Sequence, residues 1–250
     1  LSRGLGDVYK RQNLNLIAVR KKNSAKSEMI SQFFFGELIK VISKKDNWSL
    51  VVSKIDNYEG WIRSSQFLPI SDKDYSKLIS QKKRFCHSEL LIQNEEKINC
   101  TVPSGSLISN CKYLGYSYDL KNVLINDLEE ISMSFINSPY LWGGKTKFGI
   151  DCSGFVQTVF KIYGKILPRD ANQQAREGFK LSNISKSKPG DLAFFGKTLK
   201  KITHVGIIIS ENKIIHSSGK VRIDKLVQLG ILNYDSNEIT HKLQSIRRVI

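Results

Sequence analysis

Residues 151–155 read Asp151-Cys152-Ser153-Gly154-Phe155, and the apolar positions that follow, Val156, Val159, Phe160 and Tyr163, recur at helical spacing until Gly164. The pattern predicts a helix that opens at Cys152, with Asp151 as its N-cap and Gly164 as its stop. Unpaired N–H groups and the positive end of the helix dipole then converge where the sulfur sits, and both favour a thiolate. A cysteine at a helix start is more often a small buried hydrophobe than a nucleophile. What decides between the two is whether the chain also supplies a base.

Two histidines stand in strand contexts. Ile202-Thr203-His204-Val205-Gly206-Ile207-Ile208-Ile209 and Lys213-Ile214-Ile215-His216-Ser217-Ser218-Gly219 flank Ser210-Glu211-Asn212 and read as a β-hairpin. A three-residue loop pairs Ile209 with Lys213 and Gly206 with His216, which sets His204 and His216 on one face as diagonal neighbours about 7–8 Å apart. A two-residue loop sets them on opposite faces. In the first register His204 can serve Cys152 as base while His216 orients it. The same three side chains are zinc ligands by type, so a Cys/His/His metal site is an alternative. His87 and His241 read as surface residues.

Composition narrows the setting. The chain has 250 residues, 40% hydrophobic and 25% charged, which is enough to bury a core and excludes a disordered or low-complexity polymer. Its net charge of +16 is spread: residues 1–125 carry 20 basic against 12 acidic side chains and residues 126–250 carry 19 against 11. A nucleic-acid groove would concentrate basic residues with interleaved aromatics, and only Gln81-Lys82-Lys83-Arg84 is dense, so nucleic acid is not an expected partner. No apolar run reaches the eighteen or so residues of a membrane-spanning helix. Cys86, Cys100, Cys111 and Cys152 form no Cys-x-x-Cys pair, which leaves zinc ribbons and thioredoxin-like motifs aside and the state of the first three open. Leu1–Gln12 resembles translated sequencing-adapter read-through and is set apart from the fold; the true start would then have been replaced, leaving cytoplasm or envelope equally open.

From Asn13 the chain reads as short β segments: Leu14–Val19, Glu37–Ile42, Trp48–Val52 and Tyr58–Ile62, strands of a small barrel over 13–70. A second, more weakly marked barrel over 71–122 would use Leu90–Gln93, Lys97–Val102 and Ser106–Asn110. A helix over Val123–Phe135, with Leu124, Leu128, Ile131 and Phe135 on one face, opens a third region, 123–250, of α+β texture.

Five motifs in that region, Tyr140-Leu141-Trp142-Gly143-Gly144, Asp151-Cys152-Ser153-Gly154-Phe155, Leu167-Pro168-Arg169-Asp170-Ala171, Lys188-Pro189-Gly190-Asp191-Leu192 and Thr203-His204-Val205-Gly206-Ile207, resemble in order those of the NlpC-type cell-wall cysteine peptidases. The resemblance implies a papain-like catalytic domain, a helix on an antiparallel sheet, behind one or two SH3-like barrels. It places the nucleophile on Cys152, the base on His204, the third polar residue on His216 and the active-site tyrosine on Tyr140, with Ser153, Trp142 and Arg169 among substrate contacts. Ser27–Glu37 and Tyr58-Glu59-Gly60-Trp61 further resemble the SH3-like domain of the murein-tripeptide members, which cut between γ-D-glutamate and a diamino acid. By that likeness Glu28, Tyr58 and Asp151 would hold the free ammonium of an N-terminal L-alanine and reject acylated amines. The implied partners are peptidoglycan-derived peptides, with diaminopimelate or lysine as the diamino acid. The implied enzyme is a monomer that needs no metal or organic cofactor. A wall-binding protein without catalysis is the remaining alternative.

Overall fold

The computed structural model describes residues 8–11, 13–119 and 127–250, and the chain divides into two compact units, Leu1–Leu124 and Ile125–Ile250. In the first unit seven strands form one sheet: β1 (Val8–Arg11), β2 (Leu16–Arg20), β3 (Met29–Phe34), β4 (Leu38–Lys45), β5 (Trp48–Ser53), β6 (Glu59–Arg63) and β7 (Leu68–Pro69), ordered β3-β2-β6-β5-β4-β1-β7. The β-branched segments of the sequence fall on β2, β4, β5 and β6. Alternate positions of these strands, Ile17, Val19, Ile39, Val51 and Ile62, turn inward with Phe33 and Phe67 to make the core.

Where the sequence suggested a second barrel, residues 72–117 build something smaller: helix α1 (Asp72–Ser80) and a three-stranded sheet of β8 (Leu90–Asn94), β9 (Asn99–Val102) and β10 (Tyr116–Ser117). The expected strand Ser106–Asn110 is partly a 3-10 turn, Ile108–Asn110. The core around Ile92, Val102 and Cys111 is completed by Phe35, which follows β3 of the first sheet. Cys86, Cys100, Cys111 and Cys152 are all free thiols.

The second unit holds α2 (Leu128–Met133), the ribbon β11 (Lys145–Thr146) and β12 (Gly149–Ile150), α3 (Cys152–Tyr163), α4 (Ala171–Gln174) and strands β13 (Phe179–Lys180), β14 (Leu192–Thr198), β15 (Lys201–Ser210), β16 (Lys213–Ser218), β17 (Lys220–Val227), β18 (Gly230–Leu232) and β19 (Ile239–Arg248). Of the helix expected over Val123–Phe135, residues 123–126 lie outside the described residues; the rest begins at Leu128 with Asp127 as its cap, ends at Met133 and buries Ile131, while Phe135 is buried just beyond it.

The main sheet runs β13-β19-β14-β15-β16-β17-β18, and β19 also pairs with β18, so β14 to β19 form a closed ring of six strands. Side chains alternate across that ring. One face, with Val205, Ile207 and Ile215, packs against α3; the other encloses Ala193, Phe195, Ile208, Ile214, Leu226, Ile231 and Ile246. Helix α3 begins and ends as its sequence requires: Asp151 Oδ1 accepts the Gly154 N–H at 2.7 Å, and Gly164 adopts φ +106°.

Candidate active site

Pairing of β15 with β16 stops at Gly206 and His216, leaving the edge of β15 at residues 201–205 without its neighbour on that side. The continuation of β16 turns instead to the segment before α3, where Ser217 Oγ donates to the Ile150 carbonyl at 2.8 Å and the Tyr140 N–H to the Gly219 carbonyl at 2.9 Å. This parting of the strands admits the start of α3. Cys152 Sγ accepts the backbone N–H groups of Val205 and Ser153 and lies 4.0 Å from the Thr203 carbonyl. Backbone groups two residues apart on an extended strand project to the same side, so the sulfur sits beside the strand edge, next to the peptide groups that flank His204.

Gly206 opposes His216, as in the first of the two registers the sequence left open, but the hairpin reaches it differently. The turn is the two-residue Glu211-Asn212, with Asn212 at φ +59°, and Ser210 rather than Ile209 pairs with Lys213. A two-residue turn alone would set the histidines on opposite faces; the register shift at Ile209 adds one residue and restores the parity. His204 Nε2 meets His216 Nδ1 at 2.9 Å, and His216 Nε2 meets Asp224 Oδ2 at 3.0 Å, all three side chains being buried. With Nε2 of His204 occupied, its Nδ1 is the nitrogen left over.

Two members of this cluster escaped the sequence. Asp224 lies on β17, diagonal to His216, and is held bidentately by Arg222, at 2.7 Å and 2.9 Å, and by the Tyr234 N–H. Alternation along β17 could have flagged it, since Asp224 stands where an inward apolar residue was due. His241, read as a surface residue, instead stacks on His204 at 4.1 Å between ring centroids, because β19 closes the ring beside β18 and brings Ile231 opposite it. Closure is a long-range pairing that no local pattern announces.

Burial sets the protonation states. It pushes the Cys152 thiol up to about 12, with the Asp151 charge adding to the effect and the Val205 N–H opposing it. Burial likewise holds His204 well below the usual imidazole range, helped by His216 and His241. Loss of solvent at Cys152 thus opposes the thiolate that dipole and N–H donors favour, and at His204 it favours the neutral imidazole.

Tyr140 stands close enough for the Cys152 and Asp151 charges to act on it, and burial raises its phenol to about 12, so it remains a donor. Trp142 and Phe148 are exposed on the same stretch. Arg169, expected at the substrate, is instead 2% exposed and binds Asp151 through both guanidinium nitrogens, at 3.0 Å and 2.5 Å, with a third bond to Ser153 Oγ at 2.9 Å. Asp151 Oδ2 also accepts the Gly143 N–H at 2.8 Å. This pair thus ties the Tyr140–Gly144 segment, the start of α3 and the Pro168-Arg169 loop together. In the first unit, Glu28 accepts from Lys21 Nζ at 3.0 Å and Tyr58 follows the Asp56 turn.

A shared metal does not fit these side chains. Two imidazole nitrogens in direct contact at 2.9 Å have a proton between them and cannot both point lone pairs at one ion. Among the described residues no group of three His, Cys, Asp or Glu side chains is arranged to hold one.

Residues 137–240 match the NlpC/P60 family, and residues 19–67 match the bacterial dipeptidyl-peptidase SH3 domain. The NlpC/P60 match thus lies within the carboxy-terminal unit and spans Cys152, His204, His216 and Asp224. A gamma-D-glutamyl-L-lysine dipeptidyl-peptidase of Bacillus cereus is 26% identical over 83% of this chain and 73% of its own length. One of the same name from Bacillus subtilis is 43% identical over 36% of this chain, which spans only 31% of it. The crystal structure of an NlpC/P60 family protein from Bacillus cereus, 18% identical, covers 96% of this chain and 99% of its own with a TM-score of 0.76, and so shares the fold.

Proposed function

We propose that the protein hydrolyses the bond between γ-D-glutamate and the diamino acid of peptidoglycan stem peptides that carry a free N-terminal L-alanine. The observation that carries this reading is the hydrogen-bonded line from His204 through His216 to Asp224, on the strand whose backbone at Thr203 and Val205 meets the sulfur at the head of α3. The names of the relatives from the two Bacillus species support the choice of bond.

In this mechanism the thiol proton passes to His204 as sulfur attacks the γ-carbonyl. The Cys152 N–H and the Tyr140 hydroxyl would receive the oxyanion, each contributing on the order of a hundredfold. His204 then protonates the departing amine, and water hydrolyses the thioester. Trp142 offers an apolar ledge for the peptide. The resemblance assigns the substrate ammonium to Glu28, Tyr58 and Asp151; Glu28 is already paired with Lys21 and Asp151 with Arg169.

Mass spectrometry after incubation with L-Ala-γ-D-Glu-meso-diaminopimelate, its lysine counterpart and their N-acetylated forms tests the assignment. Release of the diamino acid from the free-amine peptides alone is expected, and Cys152→Ala should abolish it. Equal cleavage of the acetylated forms would remove the ammonium pocket. Cleavage by Cys152→Ala, or inactivation by a chelator but not by iodoacetamide, would remove the thiol mechanism.

A further inference from the structure

We propose that Asp224 is a positioning residue that decides, through His216, which nitrogen of His204 is free to receive the thiol proton. The inference rests on the reading of Cys152 as nucleophile and His204 as its base.

Both oxygens of Asp224 are fully engaged. Oδ1 accepts from Arg222 Nη2 at 2.9 Å and from the Tyr234 N–H at 2.9 Å; Oδ2 accepts from Arg222 Nε at 2.7 Å and faces His216 Nε2 at 3.0 Å. The carboxylate has no proton to give, so the proton of the last contact belongs to His216 Nε2. Taken as a neutral imidazole with a single N–H, His216 keeps a bare lone pair at Nδ1. The 2.9 Å contact to His204 Nε2 then needs its proton from His204. His204 Nδ1 is left unprotonated. One buried carboxylate thus sets the proton positions of two rings in succession.

The proton count closes. As the S–H bond breaks, its proton moves to His204 Nδ1 and its electron pair forms the S–C bond. The resulting imidazolium keeps its Nε2–H on His216, and the proton on Nδ1 leaves with the amine. His216 and Asp224 keep their protonation throughout.

Asparagine at 224 would reverse the chain, for a reason the geometry supplies. At the Oδ1 position two groups can only donate, Arg222 Nη2 and the Tyr234 N–H, so the amide oxygen must go there. The amide NH2 then takes the Oδ2 position, where His216 alone can turn acceptor, by moving its proton to Nδ1. That proton needs an acceptor on His204 Nε2, which forces the His204 proton onto Nδ1 and blocks the base.

Long-range 1H–15N spectra of the uniformly 15N-labelled full chain near neutral pH read each tautomer directly, and kcat and KM are measured on the same samples. The wild type should show His204 and His216 both protonated at Nε2. Asp224→Asn should show both protonated at Nδ1, with kcat reduced on the order of 10²- to 10⁴-fold and KM little changed. An Nδ1–H tautomer at either ring of the wild type overturns the proposal, as does Asp224→Asn with unchanged tautomers and undiminished kcat. Should the variant not fold, the wild-type spectrum decides alone. A wild type with the stated tautomers that cleaves none of the peptides overturns the proposed function and leaves the proton arrangement standing.

Discussion

Asp151 caps α3, accepts the Gly143 N–H and neutralises Arg169, all from a side chain almost sealed from water. Removing one partner of such a pair leaves the other charge buried and uncompensated, at a cost of about 3–5 kcal/mol. Arg169→Leu should therefore lose that much stability in urea denaturation, a loss within 1 kcal/mol being the result that contradicts it. The sulfur next to Asp151 makes a different prediction. With its thiol pushed up to about 12 by burial, alkylation of substrate-free enzyme by iodoacetamide should be slow at neutral pH and accelerate only as the solution is made strongly alkaline. Fast alkylation that persists below pH 6 would mean that a stable thiolate–imidazolium pair exists after all. Only the thiolate is alkylated readily, so the rate reports its population.

At the scale of elements, the β15–β16 hairpin depends on a glycine. A Cβ on Gly206 would come within 2.9 Å of the His216 Cβ and 2.7 Å of the Ile214 Cδ1. His216 cannot yield without breaking its contact with His204 or with Asp224. Gly206→Ala should therefore lower kcat at least tenfold, while the overpacking costs only about 1–3 kcal/mol of stability. Unchanged kcat in a folded Gly206→Ala enzyme would show that the imidazole line tolerates displacement. A glycine is required at 154 for a related reason: a Cβ there would lie 2.3 Å from the Gly144 carbonyl oxygen, so the head of α3 can approach the Tyr140–Gly144 segment only without a side chain.

For the whole molecule, protonation links the site to stability. Burial, aided by His216, lowers His241 to about 4, and burial holds His204 well below the ordinary imidazole value of 6.5. In the unfolded chain both take up protons near that ordinary value, so their neutral state supports the fold fully above pH 6.5 and this support is lost as the pH falls. Asp224 adds a second step. Burial alone would raise it, but hydrogen bonds from His216 and Arg222 prevail and bring it to about 2, so its contribution is lost as pH falls from about 4 through about 2. The thermal midpoint of the full chain should be level from pH 7 to about 8 and decline continuously below 6.5; a midpoint constant from pH 7 to 4 would contradict this. The α3 helix and its cap were legible because helix spacing is local, whereas the pairing of Gly206 with His216 was one of two registers left open, since loop length alone does not reveal the register shift at Ile209. His241, Asp224 and the burial of Arg169 were not, since ring closure and an internal ion pair join residues far apart in the chain. For the sulfur, the sequence displays the dipole but not the extent of desolvation that opposes it.

Ile209 has no partner across the hairpin. The tip therefore carries one residue of spare length, on the β15 side only. Loss of Ile209 lets Ser210 follow Ile208 with every pairing inward of it unaltered, so both imidazoles keep their places and activity should survive at some cost in stability. Loss of Ile215, on the strand with no slack, either turns His216 out of the ring or slides it two positions along, and turnover should vanish.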